Sequence, residues 1–173
     1  AAVMAVLSDA THRREWMKEA VANERIERTG PFSEILYSRT GAPWPVADRD
    51  VVSRADTTID AAARLVRIEF TSVSHRAWPP QPGVVRMPSL RGHWIMWPER
   101  GGAATRIEYQ LHADPGGLLP DWLVNRVSRQ IPHDTLSGLR AQLRRRRDPD
   151  FERRVEALPE YQAVIGAAGR PAL

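Results

Sequence analysis

The chain has 173 residues, 42% hydrophobic and 27% charged, with 25 cationic against 21 acidic side chains and a formal net charge of +4. That balance excludes disordered and collagen-like chains, and the length suits one domain with a single sizeable core. The absence of cysteine excludes disulfides, thiolate zinc sites, Fe–S clusters and cysteine nucleophiles, and no window approaches the ~18 apolar residues of a membrane span.

In chain order, residues 2–28 read as mainly helical, with Val3, Val6 and Leu7 at helical spacing and a second run through Trp16, Met17 and Ala20. Thr29-Gly30-Pro31 predicts a turn. Strands are expected over 33–40, 50–58, 65–72, 84–87, 91–97 and 105–112. Two of them alternate cleanly: Val66, Ile68 and Phe70 against Arg67, Glu69 and Thr71, and Ile107, Tyr109 and Leu111 against Arg106, Glu108 and Gln110. Such alternation predicts antiparallel strands with one buried face. Residues 73–83, with three prolines around Trp78 and Gln81, cannot pair inside a sheet and read as a loop. After Asp114-Pro115-Gly116-Gly117, an amphipathic helix runs from Pro120 through Leu143, interrupted by Pro132 and closed by Arg144–Arg147. A short helix is expected over 151–157, ahead of a loose end. The fold class is α+β: helices, about six antiparallel strands, then one long helix that a curved sheet can wrap.

Catalytic signatures are sparse. His12, His75, His93, His112 and His133 show no ligand spacing, so no metal and no cofactor is expected. His133 and Asp134 are adjacent, and on a helix their side chains are expected to diverge rather than form a dyad. No phosphate-binding glycine loop or nucleophile elbow occurs. Trp78, beside His75 and Arg76 in a proline-rich loop, suits a membrane interface or a pocket lid. Residues 126–154 hold nine arginines and four acids, whereas the remainder is nearly balanced. The basic character therefore belongs to the closing helix and its exit, which favours an anionic membrane surface over nucleic acid.

Two segments carry a family resemblance: residues 43–52, Pro-Trp-Pro-Val-Ala-Asp-Arg-Asp-Val-Val, and residues 112–125, His-Ala-Asp-Pro-Gly-Gly-Leu-Leu-Pro-Asp-Trp-Leu-Val-Asn. At this spacing they resemble START (steroidogenic-acute-regulatory-related lipid-transfer) domains, particularly the bacterial branch, over roughly residues 1–146. The resemblance implies the helix-grip fold, a curved antiparallel sheet around a long C-terminal helix with an internal hydrophobic cavity. It implies binding, and possible transfer, of a lipid or other apolar small molecule. The START-like domain is placed at 1–147 and a C-terminal tail at 148–173. The resemblance implies a helix and first strands ahead of this segment, and these are expected to be missing here. Residues 73–83 would correspond to the loop at the tunnel mouth, with Trp78 in the gate. Leu36 and Ala55 stand where steroid-binding members carry a buried acid and arginine, which implies a more apolar cavity. The expected wall is Leu36, Val51, Trp94, Met96, Tyr109, Val124, Val127, Ile131 and Thr135, with Tyr109 or His93 as polar contact. The alternative is an enzyme resembling polyketide aromatase/cyclases, using Tyr109, His93 or Arg106 as acid or base. A soluble protein is expected, the cytoplasm favoured over the periplasm, with an apolar ligand and a transient anionic membrane contact as partners and no nucleic acid.

Overall fold

The computed structural model describes residues 1–145 and 148–166, with side chains throughout except at 121–123 and 125–129. Helix α1 (Ala2–Ser8) buries Val3 through Leu7. It stops at Asp9, whose carboxylate accepts from the His12 amide at 3.2 Å and leads into a 3-10 turn at Arg13–Glu15. Strands β1 (Ala20–Gly30), β2 (Ser33–Thr40), β3 (Asp48–Asp60) and β4 (Leu65–Ser72) follow as consecutive antiparallel neighbours. After the loop come β5 (Val84–Arg86), β6 (Ser89–Glu99) and β7 (Ala104–Asp114). The sheet order is β1-β2-β3-β4-β6-β7, with β5 beside β3. Helix α2 (Asp121–Arg145) carries Pro132 internally, and two shorter helices, α3 (Pro149–Glu156) and α4 (Pro159–Gly166), come after it.

Three features depart from the sequence expectation. Residues 20–28 are a strand, not a helix. Register shifts at Ala20/Ala22, Arg25/Glu27 and Arg28/Gly30 break the period-2 pattern, so a Glu- and Arg-rich run looked helical while edge pairing with β2 decided its structure. Strand β5 is short and pairs parallel to β3, Asp48 opposite Val84, rather than antiparallel. The C-terminal segment forms two helices. Asp148 caps α3 by accepting from the Phe151 amide at 2.9 Å, Pro149 occupies its first turn, and Val164 of α4 is fully buried.

The core fills the concave face of the sheet. Val3, Met4 and Leu7 of α1, Trp16, Leu139 of α2 and Val155 of α3 pack with Leu36, Ala55, Val66, Ile68, Trp94 and Met96 of the strands. The buried stripe of α2 runs Thr135, Leu139 and Gln142. Gln142 donates to Glu15 at 2.8 Å. Gly138 lies so close to the Trp16 backbone that a side chain there would overlap the Trp16 carbonyl. On the other face of the sheet, fully buried Asp50 accepts two bonds from Arg86, at 2.7 and 3.1 Å, and Arg86 also donates to the Trp78 carbonyl at 3.1 Å. This ion pair fixes both β5 and the loop before it.

Candidate ligand cavity

Strand parity decides which side chains face inward. Leu36 and Ser38 of β2, Val51, Ser53 and Ala55 of β3, Ile68 and Phe70 of β4, Trp94 of β6, and Tyr109 and Leu111 of β7 line one cavity of about 540 Å³. Met4 and Leu7 of α1, Trp16, Ile131 of α2, and Phe151 and Val155 of α3 cover it. Trp94 and Tyr109, directly opposite in register, stack at 4.0 Å between ring centroids, and Phe70 lies 6.4 Å from Tyr109. These rings form a rigid aromatic floor. Burial pushes the Tyr109 phenol up to about 12, with Arg13 acting in the opposite sense, so the phenol is neutral at physiological pH.

Arg13 places a cation in the wall. Its guanidinium donates to the Leu7 carbonyl at 2.7 Å, and burial draws its pKa below the ordinary value while Glu34, Tyr109 and Asp9 act the other way. Glu34 itself is engaged by Arg25 at 2.5 Å.

Two loops rim one end of the cavity: Gly41, Ala42 and Pro43 on one side, Pro115 and Leu119 on the other. A single buried side chain joins them. Arg49 donates to the carbonyls of Ala47, of Pro115 at 3.4 Å and of Gly116 at 3.3 Å. Trp44, in a cis peptide with Pro45, is 92% exposed, and Leu118 is 99% exposed. Large apolar side chains are thus held in solvent on both loops beside the opening.

Of the positions named from sequence, Leu36, Val51, Trp94, Tyr109 and Ile131 lie in the wall. Met96 shares the inward face of β6 but is spent in the core, and Thr135 is buried in the α2 stripe, away from the cavity. Val124 is 46% exposed, and the Val127 side chain lies outside the described residues. Trp78 does not reach the cavity: its ring packs on Tyr37, 4.5 Å between centroids, on the opposite face of the sheet. Among the described residues no member of 73–83 lines the cavity, and the loop at the rim is 41–43. His93 contacts Glu108 at 3.2 Å on the outer face, and Arg106 sits 4.0 Å over the Trp97 ring, so neither converges with Tyr109. His133 and Asp134 do meet, at 3.4 Å, but on the exposed surface of α2. Among the described residues no three His, Asp or Glu side chains gather as a metal site, and no helix is long and apolar enough to cross a membrane. Sequence reasoning missed Arg13, Asn23 and Arg49. Arg49-Asp50, two buried charges opening an apolar strand, was the signal available for the last.

The START domain family model matches residues 1–148, and the chain belongs to that family. An uncharacterized protein of Pseudomonas aeruginosa is 30% identical over 146 residues, spanning 84% of this chain and 70% of that one. Mouse phosphatidylcholine transfer protein is 26% identical over 125 residues, and this match covers 69% of this chain and 56% of the mouse protein. Among solved structures, a STAR-related lipid transfer protein from Xanthomonas axonopodis is 32% identical with a TM-score of 0.72, covering 83% of this chain and 80% of that one. Human STARD10 superposes with a TM-score of 0.74 at 22% identity over 98% of this chain and 66% of its own, a likeness of fold. The architecture is accordingly the helix-grip fold.

Proposed function

We propose that the chain binds one lipid molecule in the cavity and exchanges it with a membrane through the opening between loops 41–47 and 115–119. The observation that carries this reading is the cavity of about 540 Å³ walled mainly by apolar strand and helix residues, a volume within the range of ligand-binding pockets. Each Å² of hydrocarbon moved into such a wall gains about 25 cal/mol. Relatives named for lipid and phosphatidylcholine transfer support the same ligand class. Leu36 and Ala55 keep the middle of the wall apolar.

Trp44 and Leu118 give the opening an apolar rim suited to the headgroup region of a bilayer. The exposed pair Arg144 and Arg145 closes α2 at its far end, roughly 35 Å from the rim at 1.5 Å per helical residue. The membrane contact is therefore assigned to the rim rather than to the arginines. Native mass spectrometry after exposure to lipid vesicles should show one bound lipid per chain; a chain that acquires none overturns the reading. Trp44→Ala should slow transfer between vesicles several-fold, and Arg144→Ala with Arg145→Ala should leave it unchanged. The reverse pattern would move the membrane contact to the arginine-rich end.

A further inference from the structure

The cavity wall contains a polar strip in which one buried amide donor has no partner within the protein. Asn23 of β1 stands opposite Ser38 of β2, and Ser38 stands opposite Val51 of β3. Ser53 follows two residues along β3 on the same face, so it is the diagonal neighbour of Ser38. All three polar residues line the cavity. The Asn23 Nδ2 atom is buried with no hydrogen-bond partner, and the two serines set their hydroxyls on the same wall. A buried amide donor without an acceptor is rare because it has given up water for nothing. Here the unmet group faces a cavity made to be filled.

We propose that Asn23, Ser38 and Ser53 form a subsite for the ester carbonyl oxygens of an acyl lipid. The strip offers one amide and two hydroxyl donors within hydrocarbon walls, Leu36 on one side and Val51 on the other. A carbonyl oxygen, acceptor only, answers those donors, whereas an alkyl chain leaves them unmet. Ser38 lies three residues from Gly41 at the rim, about 10 Å along an extended strand, so the subsite sits just inside the opening. Chains extending from esters held there run on toward Leu36, Ala55 and the Trp94–Tyr109 stack. The acyl-ester assignment rests on the lipid-binding reading above and narrows it.

The test offers the chain vesicles containing equal amounts of dioleoyl phosphatidylcholine and its dialkyl ether counterpart, with uptake read by native mass spectrometry. The wild type should take the diester in preference by about five-fold, the scale of one net hydrogen bond. Asn23→Leu should bring the ratio to about one while total uptake persists, and Ser38→Ala with Ser53→Ala, which leaves the strand pairing intact, should reduce it in the same direction. Equal uptake by the wild type, or an undiminished preference in both variants, overturns the subsite while lipid binding stands. Uptake of neither lipid by the wild type overturns the lipid-binding reading and the subsite with it.

Discussion

Gly138 marks the tightest contact between the closing helix and the rest of the fold, since the Trp16 carbonyl occupies the space a Cβ would need. Gly138→Ala must therefore push α2 off the 3-10 turn, although alanine is the better helix former. Overpacking of this kind costs about 1–3 kcal/mol, or roughly 3–10 °C of Tm in a chain of this size. An unchanged melting temperature would show that the contact yields freely. Tyr109 makes a second prediction at this scale. Burial raises its folded pKa from 10.0 to about 12, so the folded state keeps a proton that the unfolded chain releases. Its contribution is complete below pH 10 and is lost as pH rises toward 12. Tyr37 and Tyr161, both also raised by burial, add in the same direction. Tyr109→Phe should thus flatten, without abolishing, the fall in Tm across that alkaline window; an unaltered slope would remove Tyr109 from the effect.

At the level of elements, alternation made β4 and β7 readable, because from Val66 and from Ile107 onward buried or half-buried residues alternate with wetter ones. Strand β1 lacked that signature: its bulges move successive side chains out of phase, and its Glu and Arg residues favour helices. The short helix α4 was hidden by a small-residue tail, although Val164 within it is fully buried. The cavity wall was legible where a residue's face followed from strand period, as at Leu36, Val51, Trp94 and Tyr109. It was not legible on α2, where the periodic stripe marks burial but does not distinguish core (Thr135) from cavity (Ile131). Loop identity was the hardest element to read. Proline density drew attention to 73–83, yet the Asp50–Arg86 ion pair fastens that loop to the outer face, and the shorter Pro43-Trp44-Pro45 segment borders the opening. A buried ion pair between strands distant in sequence leaves no local pattern to find.

For the molecule as a whole, the sheet is almost a simple meander, each strand beside its neighbour in sequence apart from β5. The cover is different. Met4 and Leu7 near the start and Phe151 and Val155 near the end meet over the same cavity, and the Ala1 amino group contacts the Tyr161 hydroxyl. Ladder hydrogen bonds stabilise the sheet independently of any guest, whereas α1 and α3 depend on what lies beneath them. Loading the cavity with lipid should consequently slow amide hydrogen exchange in α1 and α3 far more than in the β3–β4 ladder. Uniform protection across the chain would show that the guest is not held under these helices.

The cover's two-ended origin also has a consequence for synthesis. At roughly 5–20 residues per second, Val155 leaves the ribosome about 8–30 s after Met4. Tyr109 follows late in that interval, so the concave face with Trp94 and Tyr109 at its bottom stands without α3 for about 2–9 s. Until α2 and α3 follow, α1 is the one described helix already made that can cover it.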